Sequence, residues 1–179
     1  MKAYFQKFKG TAPPPPRSGN AEALWAVLGS AAALFLIGVL DEICLETAGV
    51  PLLMAPFGAS AALVFGAPKS PLAQPRNVIG GHAVSALVGV TIYKLTGGGH
   101  EIAGICLAAS LAIGLMLLTG TLHPTGGATA LLAVAGGEGI HSLGYWFVLG
   151  PSVAGGILMV AVALVVMNIP SRHRYPLFW

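Results

Sequence analysis

Long and short apolar stretches alternate along this chain. Four stretches hold the about 20 apolar residues that a helix needs to cross the hydrocarbon core of a bilayer, and they cover residues 24–45, 78–96, 102–122 and 146–169. Two shorter stretches, residues 51–67 and 124–136, fall between the first pair and between the second pair. The pattern predicts an all-α membrane protein with four full transmembrane helices and two short helices, in the order long, short, long, repeated twice.

The two short stretches open alike. P-F-G-A-S-A-A-L-V-F-G-A begins at Pro56 and P-T-G-G-A-T-A-L-L-A-V-A begins at Pro124, with Pro, Gly, Ala and Leu at the same offsets. A matched pair of short apolar segments interrupted by Gly and Pro, one in each half of a membrane chain, indicates a transporter-type site where the two halves meet.

Composition agrees with a lipid-embedded chain, because 55% of the 179 residues are apolar and 8% are charged. So few charges cannot cover a soluble surface. We expect a basic, Pro-rich arm (1–21), two repeats (22–96 and 97–169) and a tail (170–179). No nucleotide-binding motif is seen, and we expect no cofactor, metal or nucleic acid. The first long stretch lacks the features of a cleaved signal peptide, so we expect it to be retained.

Basic residues outside the long stretches fall into three groups, at Lys2, Lys7, Lys9 and Arg17, at Lys69 and Arg76, and at Arg172 and Arg174. The positive-inside rule places all three groups in the cytoplasm if both short stretches also cross the membrane. The chain then crosses six times, as an inverted repeat of three helices, with both termini cytoplasmic. The alternative is a re-entrant model with four crossings and a parallel repeat.

The openings of the short helices are the candidate binding site. Unpaired backbone N–H groups and the helix dipole favour an anion there. The candidate substrate-binding residues are Pro56, Gly58, Ala59, Ser60, His82, His123, Pro124, Thr125, Gly126, Gly127 and Thr129. The alternative interpretation is that these helices serve only for close packing and that Ser, Thr or carbonyl groups satisfy their openings.

Two histidines fall at membrane depth, where an ionisable side chain is a functional candidate by default. His123 immediately precedes Pro124 and is either a proton-linked anion contact or a helix N-cap. His82 is either functional or a neutral histidine bonded to a carbonyl of a neighbouring helix. At the start of the second long stretch, Arg76 and Asn77 form a candidate pathway mouth. Alternatively, Arg76 contacts lipid headgroups and Asn77 caps the helix.

Other polar and small residues favour structural interpretations. Gly81, Ser85 and Gly89 form the stripe of small residues that packs helices closely in membranes. Pro151 should bend the fourth long helix. The carboxylates Asp41, Glu42 and Glu46 could attract a cation or pair with a neighbour, but a solvated helix end is the preferred interpretation. Cys44 and Cys106 could form a bridge, but two buried free thiols are the preferred interpretation.

Two motifs carry a family resemblance. The run A-P-F-G-A-S-A-A-L-V-F-G-A-P-K-S-P-L-A-Q-P-R-N-V-I-G-G-H ends at His82, and H-P-T-G-G-A-T-A-L-L-A begins at His123. Both resemble the HPP family of integral membrane proteins, which is named after a His-Pro-Pro motif. His123 and Pro124 match that motif, whereas Thr125 stands where the second Pro would be. The resemblance covers nearly the whole chain from Leu34 onward.

The resemblance implies a small multi-span protein of bacteria and chloroplasts, in a family that includes chloroplast and cyanobacterial nitrite transporters. We therefore expect no enzyme but a transporter or channel for a small inorganic monoanion, with nitrite first, in a bacterial inner membrane. Nitrate, formate, sulfite or a larger organic acid fit the same argument. The small size suggests a homo-oligomer in the bilayer. The competing hypotheses are a membrane-embedded enzyme using His123 and His82, and a structural or sensory membrane module.

Overall fold

The computed structural model describes residues 2–8, 12–45, 54–97, 102–170 and 174–179, and these form α-helices without any strand. The helices are α1 (Lys2–Gln6), α2 (Asn20–Leu45), α3 (Ala55–Gly66), α4 (Pro75–Leu95), α5 (Ile102–Thr119), α6 (Pro124–Ala135), α7 (Glu138–Leu143) and α8 (Gly155–Val166). A 3₁₀ turn, Pro71–Ala73, precedes α4, and a π-helical segment, Val148–Ala154, leads into α8.

Four of the described helical segments are long and apolar enough to cross a membrane, namely Asn20–Ile43, Pro75–Leu95, Ile102–Thr119 and Val148–Val166. The two shorter apolar helices, α3 and α6, have 12 residues each. At 1.5 Å per residue they extend about 18 Å, less than the about 30 Å of a hydrocarbon core. The predicted all-α architecture of four long and two short apolar helices is confirmed. Pro151 lies inside the π-helical segment, which interrupts the regular α-helix of the fourth span.

Proline sets the start of both short helices. Pro124 is the first residue of α6 and Pro56 is the second residue of α3, and in this first turn the missing N–H costs no hydrogen bond within the helix. The N-cap residues are Met54 and His123, both extended and neither with a side-chain capping bond. His123 therefore stands at the N-cap position without capping through its side chain, which leaves the imidazole available to other partners.

The helices alternate in direction. The start of α2, the loop after α3 and the end of α8 line a common cavity, through Glu22, Lys69 and Met167 among others. The start of α4 meets the end of α5 at Arg76 and Thr119. We call this the Lys69 end of the bundle. The helices α2 and α4 run away from it, and α3, α5 and α8 run toward it.

Helix α6 runs parallel to α4, and small residues permit the contact. A Cβ added at Gly89 would lie 2.6 Å from the Cβ of Ala133 and 2.7 Å from the carbonyl of Ala130. A Cβ at Gly81 would lie 3.0 Å from the carbonyl of Thr121. The predicted packing role of this stripe is thus confirmed. It places the start of α6 beside the second turn of α4.

Close approach also fixes α3. Gly29 of α2 lies under the ring of Phe65, and Gly155 of α8 lies under the ring of Phe57. Both rings are buried in the apolar core. Helix α3 is thereby held between α2, α8 and the α4–α6 pair, so its side chains can reach the interior of the bundle.

The predictions for the cysteines, the carboxylates and some basic residues can be compared with the structure only in part. Cys106 is a free thiol but is exposed, so the expectation of a buried thiol is wrong at this position. The Cys44 side chain and Glu46 lie outside the described residues. Glu42 is exposed and Asp41 is half-buried near the end of α2. The basic residues Lys9 and Arg172 also lie outside the described residues.

Candidate functional site

Ser60 of α3 is the centre of a buried polar cluster. Its hydroxyl oxygen lies 2.9 Å from His82 Nε2, 2.9 Å from His123 Nε2 and 2.6 Å from Thr125 Oγ1. These partners come from α4, from the N-cap of α6 and from the first turn of α6. Ser60 and both histidines are fully buried, and Thr125 is nearly so. A polar group in apolar surroundings is stable only when its hydrogen bonds are made, and here the side chains make them with each other.

Thr129 completes this arrangement one turn further along α6. Its hydroxyl lies 2.8 Å from His82 Nδ1 and 3.2 Å from the Thr125 carbonyl. The imidazoles of His82 and His123 are 5.3 Å apart between centroids, and the ring of Phe57 lies 4.9 Å from that of His82. We refer to Ser60, His82, His123, Thr125 and Thr129 as the Ser60 cluster.

The partners of His123 determine where the protons lie. Its Nδ1 is 2.8 Å from the Leu72 carbonyl, which can only accept, so Nδ1 carries a proton. In a neutral imidazole Nε2 then accepts, and Ser60 donates to it. Since Ser60 has one proton, it accepts from Thr125 and from His82 Nε2–H. This assignment follows from the hydrogen-bond network.

His82 has a partner for a second proton. In the neutral state its Nδ1 accepts from the Thr129 hydroxyl. If His82 gains a proton, Nδ1–H can donate to Thr129 instead, and the Thr129 hydroxyl can turn to the Thr125 carbonyl. The Ser60 cluster can therefore hold His82 neutral or charged with every hydrogen bond of this imidazole made.

The Q-P-R-N string positions the segment that carries His123. Arg76 Nη2 donates to the Thr119 carbonyl at 2.8 Å, and Asn77 Nδ2 donates to the Leu122 carbonyl at 2.9 Å. Both bonds start in the first turn of α4; the first reaches the last residue of α5, and the second reaches the linker before α6. Asn77 therefore serves this linker, and the N-cap of α4 is Gln74. Arg76 is exposed and supplies a cation to the carbonyl end of α5.

The structure brings five of the predicted site residues together, namely the five of the Ser60 cluster. Pro56 and Gly126 are buried nearby, and a Cβ on Gly126 would crowd the Met116 sulfur at 2.7 Å. Gly58, Ala59 and Pro124 are exposed, and Gly127 is half-buried. Gly58 lines a cavity of about 280 Å³ between α2 and α3, away from the histidines.

The N-termini of the two short helices leave fewer backbone N–H groups free for a ligand than the sequence suggests. Phe57 N–H donates to the Met54 carbonyl and Gly126 N–H donates to the His123 carbonyl, at 2.9 Å each. Each opening thus directs one of its backbone donors to its own N-cap. Side chains, rather than a pair of bare helix openings, dominate the polar interior.

Several residues of the site were not predicted. Leu72 contributes only a carbonyl, and Gln74 and Tyr175 act on the loop that contains it, as described below. Outside this group, Ser152 of the π-helical segment is fully buried, and its hydroxyl has no hydrogen-bond partner within the described structure. Backbone acceptors leave no sequence signal, whereas Gln74 stands inside the quoted Q-P-R-N string.

Metal binding finds no support in the described ranges, since no three His, Cys, Asp or Glu side chains there form a group able to hold an ion. Hydroxyl groups surround the two histidines of the Ser60 cluster, and hydroxyl groups and neutral imidazoles form hydrogen bonds in both directions. This set suits proton exchange and the binding of a small polar or anionic species.

Fold and site together define a multi-span α-helical membrane protein with a buried histidine and hydroxyl cluster. The chain belongs to the HPP family, because the sequence model described as "HPP, transmembrane region" matches residues 15–176. Its similarity extends to two transmembrane proteins of Dictyostelium discoideum, 41% and 40% identical over 98% of this chain. The chain spans 63% and 57% of the lengths of these relatives. No solved structure matches it.

Proposed function

We propose that this protein is a transporter or channel for a small inorganic monoanion, bound at the Ser60 cluster, with nitrite as the first candidate. The observation that carries the proposal is that the Ser60 hydroxyl meets His82 from the first half of the chain and His123 and Thr125 from the second. Transporter sites typically lie where two repeats meet. Ionisable side chains buried in a membrane bundle are functional candidates by default.

Helix directions support an inverted repeat. In the first half α2, α3 and α4 run away from, toward and away from the Lys69 end. In the second half α5, α6 and α8 run in the opposite sense at each step. This relation is what six crossings with inverted halves require. Among the described basic residues, Arg17, Lys69, Arg76 and Arg174 lie in the segments at or next to this end, whereas Lys94 lies at the far end of α4. We therefore assign the Lys69 end to the cytoplasm, together with both termini.

Anion binding would be linked to a proton at His82. With both histidines neutral, the Ser60 cluster has no net charge, and its side chains donate and accept hydrogen bonds among themselves. A proton on His82 adds a positive charge, and the Thr129 hydroxyl and the Thr125 carbonyl can accommodate the added N–H. A monoanion would then replace the 2.6 Å contact between Thr125 and Ser60 and accept from the Thr125 hydroxyl and from His82 Nε2–H, while Ser60 continues to donate to His123. Nitrite is a small monoanion, and it is the ion that the family resemblance implies.

Anion flux into liposomes tests this proposal. Purified protein is reconstituted, and uptake of nitrite, nitrate, formate, sulfite and chloride is followed with and without an imposed pH gradient. We expect saturable uptake of one monoanion that a His123→Ala substitution abolishes. A His141→Ala substitution is the matched control, because His141 lies at the other end of the bundle, stacked on Tyr93 at 3.7 Å. Uptake equal to that of empty liposomes for every anion would overturn the proposal.

Hydrolysis is the second candidate function. Ser60 donates to His123, which is oriented by the Leu72 carbonyl, and this is the order of nucleophile, base and orienting group found in covalent catalysis. A fluorophosphonate probe, which reacts with activated serine hydroxyls, distinguishes the two functions. Labelling that is lost in Ser60→Ala and retained in Ser30→Ala would favour a membrane-embedded hydrolase. Absence of labelling would leave the transporter proposal.

The native membrane and assembly belong to the same proposal. We place the protein in a bacterial inner membrane, although the two relatives described above are from a eukaryote. A homo-oligomer is proposed because a chain with so few spanning helices provides little shielding for a polar pathway through the membrane. Mass measurement in detergent-free nanodiscs gives the number of copies directly.

A further inference from the structure

The C-terminal segment, residues 174–179, folds back onto the loop between α3 and α4. Tyr175 is 2% exposed, and its hydroxyl donates to the Ala73 carbonyl at 2.9 Å. Two residues further on, the Leu177 N–H donates to Gln74 Oε1 at 2.8 Å. The segment is therefore bound to two consecutive residues of the loop by one side-chain and one backbone donor.

Gln74 holds this loop together from inside. Its Nε2 donates to the Pro68 carbonyl at 2.9 Å and to the Ser70 carbonyl at 2.7 Å, and the side chain is fully buried. Leu177 supplies the donor to its remaining oxygen. A buried amide oxygen left without a hydrogen-bond donor is destabilising, so the conformation of the loop depends on this donor from the tail.

The tail is held independently at the end of α8. Asn168 Nδ2 donates to the Tyr175 carbonyl at 2.6 Å, and Tyr175 N–H donates to Asn168 Oδ1 at 2.9 Å. This reciprocal pair fixes the backbone at Tyr175 before the chain reaches the loop. The segment thus connects the last helix of the second half to the loop of the first half.

The same loop contacts the Ser60 cluster. Leu72 immediately precedes Ala73, and its carbonyl accepts from His123 Nδ1–H at 2.8 Å. The Leu72 N–H is held in turn by the Ser70 hydroxyl at 3.2 Å. The carbonyl that orients His123 and the carbonyl that binds Tyr175 therefore belong to consecutive residues.

We propose that the C-terminal segment is a strap for the site, in which Tyr175 and Gln74 are positioning residues for His123. By fixing the loop, they hold the Leu72 carbonyl where His123 Nδ1 must donate, and so keep His123 Nε2 as the acceptor for Ser60. The structural part of this inference is independent of the transported species. Its consequence for proton linkage and for access from the Lys69 end depends on the proposed function.

Nitrogen NMR of histidine tests the strap directly. Protein labelled with ¹⁵N-histidine is placed in nanodiscs, and the His123 signals are assigned with a His123→Gln variant. We expect the wild-type protein to show a protonated, hydrogen-bonded Nδ1 and an unprotonated Nε2. Tyr175→Phe keeps the ring and removes the hydroxyl, and it should produce a mixture of tautomers or loss of the Nδ1–H signal. Tyr145→Phe is the matched control, since that hydroxyl bonds Thr91 near the end of α4, away from the Lys69 end of the bundle.

A second pair of variants removes only the backbone donor. Leu177→Pro deletes the N–H that Gln74 accepts, whereas Leu177→Ala keeps it, and the Leu177 side chain is 52% exposed. We expect Leu177→Pro, but not Leu177→Ala, to change the His123 tautomer. Hydrogen exchange at Tyr175 verifies that the tail has detached.

An unchanged His123 signal in a folded variant whose tail has detached would overturn the inference. Anion uptake by the same variants is a separate measurement. If no anion is transported by the wild type, the NMR result still decides whether the strap positions His123. If uptake occurs, its pH profile should shift in Tyr175→Phe and Leu177→Pro, and it should not shift in the two controls.

Discussion

Ser60 and His123 are 63 positions apart in sequence and share a hydrogen bond of 2.9 Å in the interior of the bundle. One residue is in the short helix of the first half, and the other is at the N-cap of the short helix of the second. Their contact joins the two halves at the level where the first turn of α6 meets α3. The Ser60 hydroxyl also accepts hydrogen bonds from His82 and Thr125. A change in the contact between Ser60 and His123 therefore rearranges the protons of all four side chains.

Replacing Ser60 by Ala should therefore disable the site. His123 Nε2, His82 Nε2–H and the Thr125 hydroxyl would each lose a partner, at about 1–3 kcal/mol for each buried group that finds no other. We expect anion uptake to fall at least about tenfold, which corresponds to 1.4 kcal/mol.

The matched control for this substitution is Ser30→Ala, because the Ser30 hydroxyl bonds carbonyls of its own helix at 2.7 and 3.1 Å. Initial rates of uptake in liposomes, normalised to the amount of reconstituted protein, measure both variants. Equal rates for Ser60→Ala and the wild type would exclude Ser60 from the binding site.

Thr129 allows a sharper test of proton linkage. Thr129→Val keeps the shape of the side chain but removes the hydroxyl that serves His82 Nδ1 in both protonation states. We expect Thr129→Val to lose the dependence of uptake on an imposed pH gradient, because a second proton on His82 would have no acceptor. Thr129→Ser restores the hydroxyl and should restore the dependence. A pH response that persists unchanged in Thr129→Val would place the proton elsewhere.

The sequence predicted the membrane helices well because their signal is local. About 20 consecutive apolar residues leave few alternatives to a spanning helix, and the bounds of α4 and α5 differ from the predicted stretches by three residues at most. The six-crossing inverted repeat could be proposed from basic residues alone. The π-helical segment around Pro151 could not be predicted, because a π bulge depends on tertiary packing that cannot be read from a single sequence.

Packing of α6 on α4 gives a prediction on stability. Gly89→Leu would insert a side chain where even a Cβ meets the Ala133 Cβ at 2.6 Å and the Ala130 carbonyl at 2.7 Å. Overpacking of this kind costs about 1–3 kcal/mol. We expect a lower thermal unfolding temperature in detergent, followed by the fluorescence of a thiol or tryptophan.

Gly114→Leu is the control for this measurement, since a Cβ at Gly114 meets nothing within 4 Å. Its unfolding temperature should stay at or above the wild-type value, because leucine favours a helix over glycine by nearly 1 kcal/mol. Equal destabilisation by the two variants would show that glycine at 89 is not required for close approach.

Prediction of the site from sequence was partial for a physical reason. His82, His123, Ser60, Thr125 and Thr129 are polar residues in apolar stretches, and this contrast made them visible. Gly58 and Gly127 were predicted as site residues because glycine would leave the helix N-termini open to a ligand. In the structure, a Cβ added at either glycine would meet no atom within 4 Å, so neither packs against the Ser60 cluster there. The Leu72 carbonyl, which orients His123, belongs to an apolar residue and could be found only from coordinates.

Arg76 separates anion recognition from a structural role. Its Nη2 donates to the Thr119 carbonyl at 2.8 Å, beside the end of α5, and the side chain is exposed. A cation at a helix C-terminus contributes about 0.3–1 kcal/mol, and lysine also supplies one. We therefore expect Arg76→Lys to transport within about fivefold of the wild type and Arg76→Glu to be impaired. A loss in Arg76→Lys as large as that in Arg76→Glu would indicate forked recognition of an anion instead.

Alkaline pH should release the C-terminal strap. Burial raises the pKa of the Tyr175 phenol above its usual value of about 10, because the charged phenolate is poorly solvated there. A raised pKa in the folded state means that the stability from this group is complete below about pH 10 and is lost as the pH rises toward the folded-state pKa.

We expect hydrogen exchange at Tyr175 and Leu177 to rise above pH 10 beyond the general increase caused by hydroxide. Tyr175→Phe should lack this additional rise, whereas Tyr145→Phe should retain it. An identical alkaline profile in Tyr175→Phe and the wild type would show that the phenol does not hold the segment.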